Sequence, residues 1–169
     1  ISDATGDGQT VKMRFNGDSG NNYNSQYMKG VSSTASAQQF TSRADHPLYD
    51  ITDTSNAFTA GEVLVPDAFS TRTDKSFLGV FGKAEEGVFS AGGRWENTAE
   101  ITSVTLLLTT GQFAIGSTFE LAVVDESFVI DETINSGAAD FDKASISAAN
   151  GDLVIIGNLR SDVASHIEE

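Results

Sequence analysis

The sequence predicts an all-β fold, an antiparallel β-sandwich of jelly-roll-like type. Three observations carry that prediction. Apolar residues recur with period two in short runs, those runs are bounded by Gly, Ser, Thr, Asn and Asp, and strong helix formers are sparse. A chain of 169 residues is long enough for one domain with a sizeable core.

Val11, Met13 and Phe15 alternate with Lys12 and Arg14, which predicts a half-buried strand with a basic outer face. Asn16-Gly17-Asp18 ends it, because Asn and Gly tolerate the positive φ of a tight turn. Residues 27–31, 62–65 and 77–81 read as further strands. Pro66 closes the 62–65 strand because it cannot donate to a ladder. The polar run 32–39 (SSTASAQQ) reads as a surface strand or loop.

The clearest strand is 101–108, in which Val104, Leu106 and Leu108 alternate with Ser103 and Thr105. Leu107 predicts an end buried on both faces, and Ile101 falls out of the alternation, which suggests a bulge near Thr102 and Ser103. A Gly-containing connection leads to a strand over 118–124 with Phe119, Leu121 and Val123 on one face, so these two strands are expected to form an antiparallel hairpin.

Beyond Val124 the character changes. The expected organisation is a sandwich body over 1–124, a linker over 125–150, and a sheet-completing strand and tail over 151–169. Leu153, Val154, Ile155, Ile156 and Leu159 form a run apolar on both faces that belongs inside a sheet. At about 25 cal/mol per Å² of apolar area its burial is worth several kcal/mol, and unpaired it would be a sticky edge.

Composition excludes several function classes. The 24 acidic residues against 10 basic ones give a net charge of −14, which repels phosphate backbones and makes a nucleic-acid partner unexpected. No run approaches the roughly 20 apolar residues of a membrane span. The chain has no Cys, so thiolate chemistry and disulfides are absent. It opens at Ile1, read as a processing boundary.

No enzymatic activity is expected. The histidines, His46 and His166, fall in polar stretches outside any nucleophile arrangement and are expected at the surface. The neighbouring acids Glu85-Glu86, Asp125-Glu126 and Glu168-Glu169 would point to opposite faces of a strand, which suits solvated loops and not the facing acids of a glycosidase. No cofactor is expected. The candidate metal is Ca²⁺, for which Asp3, Asp7 and Asp18 in Gly-rich turns offer hard oxygen ligands, although their spacing misses the EF-hand loop. Trp95, after two glycines, reads as a core tryptophan over a turn or as a stacking platform for a sugar.

Several patterns, taken in their joint order, resemble a β-sandwich module of tailed-bacteriophage virion proteins, of the tail, fibre and capsid-decoration type. They are the strand Arg14-Phe15-Asn16-Gly17-Asp18 with Asn22-Tyr23, a segment over 70–78, Gly92-Gly93 with Trp95, Ala99 with Ile101 and Val104, and the closing Phe113, Ala114, Gly116, Ser117, Phe119 and Leu121. The family's opening strand, ending in Leu-Arg-Ser-Asp, matches Leu159-Arg160-Ser161-Asp162 at the other end of this chain, and Ala122-Val123-Val124 replaces a more aromatic ending. In the family arrangement Arg14 and Arg160 would sit on adjacent strands and pair with Asp18 or Asp162.

The resemblance implies a structural subunit of a virion appendage, capsid decoration or extracellular filament, located in an extracellular particle. Its partners would be copies of itself or other virion proteins, and the 32–39 run would suit a contact with them. The displaced strand either closes its own sandwich or inserts into the next subunit by strand addition; a piece of a tandem array would show the same order. The alternative function is a glycan-binding module of a phage tail fibre, with Trp95 and the aspartate-rich turns meeting a cell-surface glycan.

Overall fold

The computed structural model describes residues 9–50, 59–83, 87–113, 115–123, 128–133, 140–144 and 153–159. Its strands in chain order are β1 (Thr10–Phe15), β2 (Tyr23–Val31), β3 (Thr34–Arg43), β4 (His46–Asp50), β5 (Thr59–Val65), β6 (Lys75–Lys83), β7 (Gly87–Trp95), β8 (Ser103–Leu108), β9 (Thr118–Val123), β10 (Phe128–Thr133), β11 (Asp140–Ala144) and β12 (Leu153–Leu159). A four-stranded sheet, β11-β8-β1-β4, packs on an eight-stranded sheet, β10-β9-β12-β5-β6-β7-β2-β3. Every pairing is antiparallel. Among the described residues no helix is long and apolar enough to cross a membrane.

The expected sandwich is therefore present, and period-two patterning builds it. In β1, β8 and β9 alternate residues are buried, among them Val11, Met13, Phe15, Val104, Leu106, Phe119 and Leu121. A row of such residues on each inner face makes the shared core of two sheets packed face to face. Asn16 and Gly17 both have positive φ, 53° and 65°, and the Asp18 amide donates to the Phe15 carbonyl at 2.9 Å. That is the tight turn expected after β1. β5 ends at Val65, immediately before Pro66.

The expected hairpin of residues 101–108 with 118–124 does not form. β8 lies in the small sheet and β9 in the large one, so the connection arches over the end of the sandwich. Phe113 on that arch is fully buried and packs edge-on against Phe119, with centroids 5.2 Å apart. Ile101 precedes β8 and is also fully buried, while its amide donates to the Ala68 carbonyl. The bulge expected near Thr102 and Ser103 is not present: Ile101 and Thr102 precede the strand, β8 pairs with β1 in continuous register, and Asn16 Oδ1 accepts from the Thr102 and Ser103 amides.

The stretch read as a linker carries two strands: β10 pairs with β9 at one edge of the large sheet, and β11 pairs with β8 at one edge of the small sheet. The β-branched and aromatic residues Phe128, Val129, Ile130 and Phe141 suit these strand positions.

Candidate assembly surface

Leu153, Val154, Ile155, Ile156 and Leu159 lie on β12, which is interior to the large sheet. One flank pairs with β5, from Leu153 opposite Val65 to Leu159 opposite Thr59; the other pairs with β9, from Leu153 opposite Val123 to Asn158 opposite Thr118. Ile155 stands between Val63 and Leu121, and all three are buried. With Val11, Leu48, Tyr49, Phe81 and Leu106 it lines a residual void of only about 10 Å³, at the lower limit for one water. The two sheets are thus in close contact across Ile155. Partners on both edges satisfy the strand's backbone groups, as expected of a segment inside a sheet.

Trp95 is a core residue, which removes it as a sugar platform. It is 1% exposed, its ring lies 5.6 Å from Phe15 and 6.3 Å from Tyr23, and its Nε1 donates to Asp18 Oδ2 at 2.7 Å. Asp18 is equally committed. Oδ1 accepts from the Gly20 amide at 2.8 Å and Oδ2 also accepts from Asn22 Nδ2 at 2.9 Å. The aspartate therefore organises the turn after β1 and anchors the tryptophan. Asp3 and Asp7 lie outside the described residues, as do Arg160, Asp162, His166 and the three neighbouring acid pairs. Among the described residues no group of three His, Cys, Asp or Glu side chains could hold a metal ion.

His46 corrects the expectation of a surface histidine. It is fully buried, edge-on to Tyr23 at 4.7 Å and to Phe77 at 4.4 Å, and neither ring nitrogen has a hydrogen-bond partner among the described residues. Burial lowers its pKa to about 3, so it is neutral at ordinary pH. Its chain neighbour Asp45 is also buried and takes Lys12 Nζ and Arg14 Nη2 at 3.5 Å each. Arg14 thus pairs with Asp45 and not with Asp18, and its Nε donates to the Ala44 carbonyl at 3.0 Å. The polar residues around His46 concealed its burial: the adjacent Pro47-Leu48-Tyr49 was the local signal of an inward-facing strand.

Two further features escaped sequence reasoning. Lys75 is 1% exposed and its Nζ donates to the carbonyls of Ser70, Thr73 and Thr98 at 2.6, 2.8 and 3.3 Å. It ties the 66–74 loop to the segment before β8 from within. The other feature is the outer face of the large sheet, where Leu78, Val80, Val88 and Met28 are 56%, 49%, 62% and 60% exposed. They sit on neighbouring strands, with Val80 opposite Ser90, Ser90 opposite Met28 and Gly30 opposite Val88. These exposed apolar side chains share the outer face of the large sheet with Ser90 between them.

Comparisons with family models, with curated proteins and with solved structures found no match.

Proposed function

We propose that this chain is a structural subunit of a virion appendage, capsid decoration or extracellular filament, and that its role is assembly, not catalysis. The carrying observation is the position of β12. A strand from the last part of the chain lies inside the large sheet, and all its ladder partners belong to β5 and β9. In this reading the same slot takes the same strand from a neighbouring copy, with Ile155 again between Val63 and Leu121. Backbone hydrogen bonds supply affinity, and the core-facing position of Ile155 supplies register. A head-to-tail exchange of this type yields open filaments, or rings when the rotation closes.

The test is reconstitution. A chain ending before Gly151 is mixed with a peptide spanning 151–162, and the full chain is refolded at high and low concentration. Strand exchange predicts capture of the peptide by the truncated chain and concentration-dependent polymers of the full chain in electron micrographs. A full chain that is monomeric after refolding at every concentration would refute the proposal.

A further inference from the structure

We propose that β3 is a second assembly edge, which pairs antiparallel with β3 of another copy and joins two large sheets into one. This contact does not depend on exchange of β12, because β3 ends the large sheet on the side remote from β9.

Four strands end the two sheets: β10 and β3 in the large one, β11 and β4 in the small one. Natural edges are protected by charge, proline or irregularity against pairing with another chain. β10 carries Asp131 and Glu132, β11 carries Asp140 and Asp142, and β4 carries Pro47 and Asp50. Two copies pairing through either acidic edge would bring like charges together. Over 34–40 β3 has none of these devices; its ladder with β2 shifts register only at the far end, opposite Tyr23–Ser25, where Ser42 has φ 51° and Arg43 follows. It is ten residues long, uncharged over 34–42, without proline, and exposed along nearly its whole length. Among the described residues no strand lies beyond it.

The charge distribution favours a second copy as the occupant. From 19 to 44 the sequence contains no Asp or Glu, and its charges are Lys29 and Arg43, in a chain of net charge −14. The β2–β3 hairpin is therefore the place where two strongly acidic copies approach with least repulsion. Antiparallel pairing of β3 with itself about a two-fold axis near Gln38 sets only Ala, Ser, Gln, Thr and Phe side chains across from one another. The adjoining outer face is apolar: Met28, Val88, Ala35 and Ala37 border an open hollow of about 500 Å³. Edge-to-edge union places two such hollows side by side and continues the apolar face across the junction.

Sedimentation velocity of the full chain over a concentration series tests the contact. The wild type is expected to dimerise, and the double variant Ala35→Glu/Ala37→Glu, at exposed positions, to weaken dimerisation by about tenfold or more, with an unfolding midpoint equal to the wild type's at concentrations where both are monomeric. Because the chain has no cysteine, Gln38→Cys, at the two-fold axis, reports directly. It should oxidise to a covalent dimer, whereas Asp131→Cys on the opposite edge should not. A wild type that stays monomeric, or glutamates that leave association intact, would overturn the proposal. Association lost on truncation before Gly151 but untouched by the glutamates would overturn this contact and leave strand exchange standing.

Discussion

Trp95 Nε1 donates to Asp18 Oδ2 at 2.7 Å, joining the end of β7 to the turn after β1 across 77 residues of sequence. Burial pushes the Asp18 carboxyl up, but hydrogen bonds from Asn22, Trp95 and Gly20 and the nearby Arg14 charge outweigh it, and its pKa lies below the ordinary value. Asp18→Ala is expected to cost about 2–3 kcal/mol, because it strands a buried indole N–H and releases the turn. A double-mutant cycle with Trp95→Phe should return a coupling of about 1–2 kcal/mol in urea unfolding. Because the folded pKa is depressed, this contribution is present above pH 4 and is lost as pH falls through the folded value. A coupling near zero would dissociate the two residues.

Gly92 and Gly93 are adjacent in the motif before Trp95, yet they predict opposite outcomes. A Cβ on Gly93 would lie 2.6 Å from the Asn24 carbonyl oxygen and 2.8 Å from Ser25 Cβ, whereas a Cβ on Gly92 meets only the Phe77 carbonyl at 3.6 Å. Backbone cannot yield as a flexible side chain does. Gly93→Ala should destabilise by about 2–3 kcal/mol. Gly92→Ala should be neutral or stabilise by about 0.5 kcal/mol through a less flexible unfolded chain. Equal costs at the two positions in chemical denaturation would contradict this packing.

Periodicity conveys which face of a strand is buried before it conveys connectivity. Val11, Met13 and Phe15 declare a buried face through alternation alone, and Asn16-Gly17 declares its turn by tolerance of positive φ. Alternation does not say which sheet a strand joins. β8 and β9 share one burial pattern because both face the same core, from opposite sides. A local hairpin was the natural expectation, and the buried Phe113 on the arch decided otherwise. β7 was invisible for a different reason: its glycines at 87, 92 and 93 depress strand propensity, and at 87 and 93 neighbouring backbone comes too close for a side chain. Position of β12 within the large sheet was legible in its continuous apolar run, but whose sheet it enters is not a property of the run.

His46 predicts an acid limb in the stability curve. Its ring is enclosed by Phe15, Tyr23 and Phe77, next to an Asp45 already matched with Lys12 and Arg14. In the unfolded chain an ordinary histidine takes up a proton near pH 6.5, while the folded protein holds His46 neutral down to about pH 3. The unfolded state then binds more protons between those limits, so stability falls as pH drops through that window, by about 1.4 kcal/mol per unit at full slope. The interval from pH 6.5 to 5 is the diagnostic part, since carboxylates scarcely titrate there. His46→Met in a His166→Asn background should flatten the unfolding free energy across that interval, with the His166→Asn parent retaining the slope. An equal slope in both proteins would remove His46 as the source.

Ile155 tests the seam on which assembly depends. It is 4% exposed and sits between Val63 and Leu121, across the core from Val11, Leu48 and Leu106. Ile155→Ala should cost about 2–4 kcal/mol, because the void beside it is already small and its walls belong to two sheets that cannot close around the loss. The cost is the same whether β12 comes from its own chain or from a neighbour, since the contacts are identical. Concentration dependence separates the two. In the Ala35→Glu/Ala37→Glu background, where pairing through β3 is suppressed, β12 in its own sheet gives an unfolding midpoint independent of protein concentration, whereas exchanged β12 gives one that rises with concentration, because each fold is completed by a binding event. For a peptide spanning 151–162 added to a chain truncated before Gly151, the Ile155→Ala form should bind at least about thirtyfold more weakly than the parent sequence. Equal binding of the two peptides would show that the strand is held by its backbone alone, and the core-filling role of Ile155 would be lost.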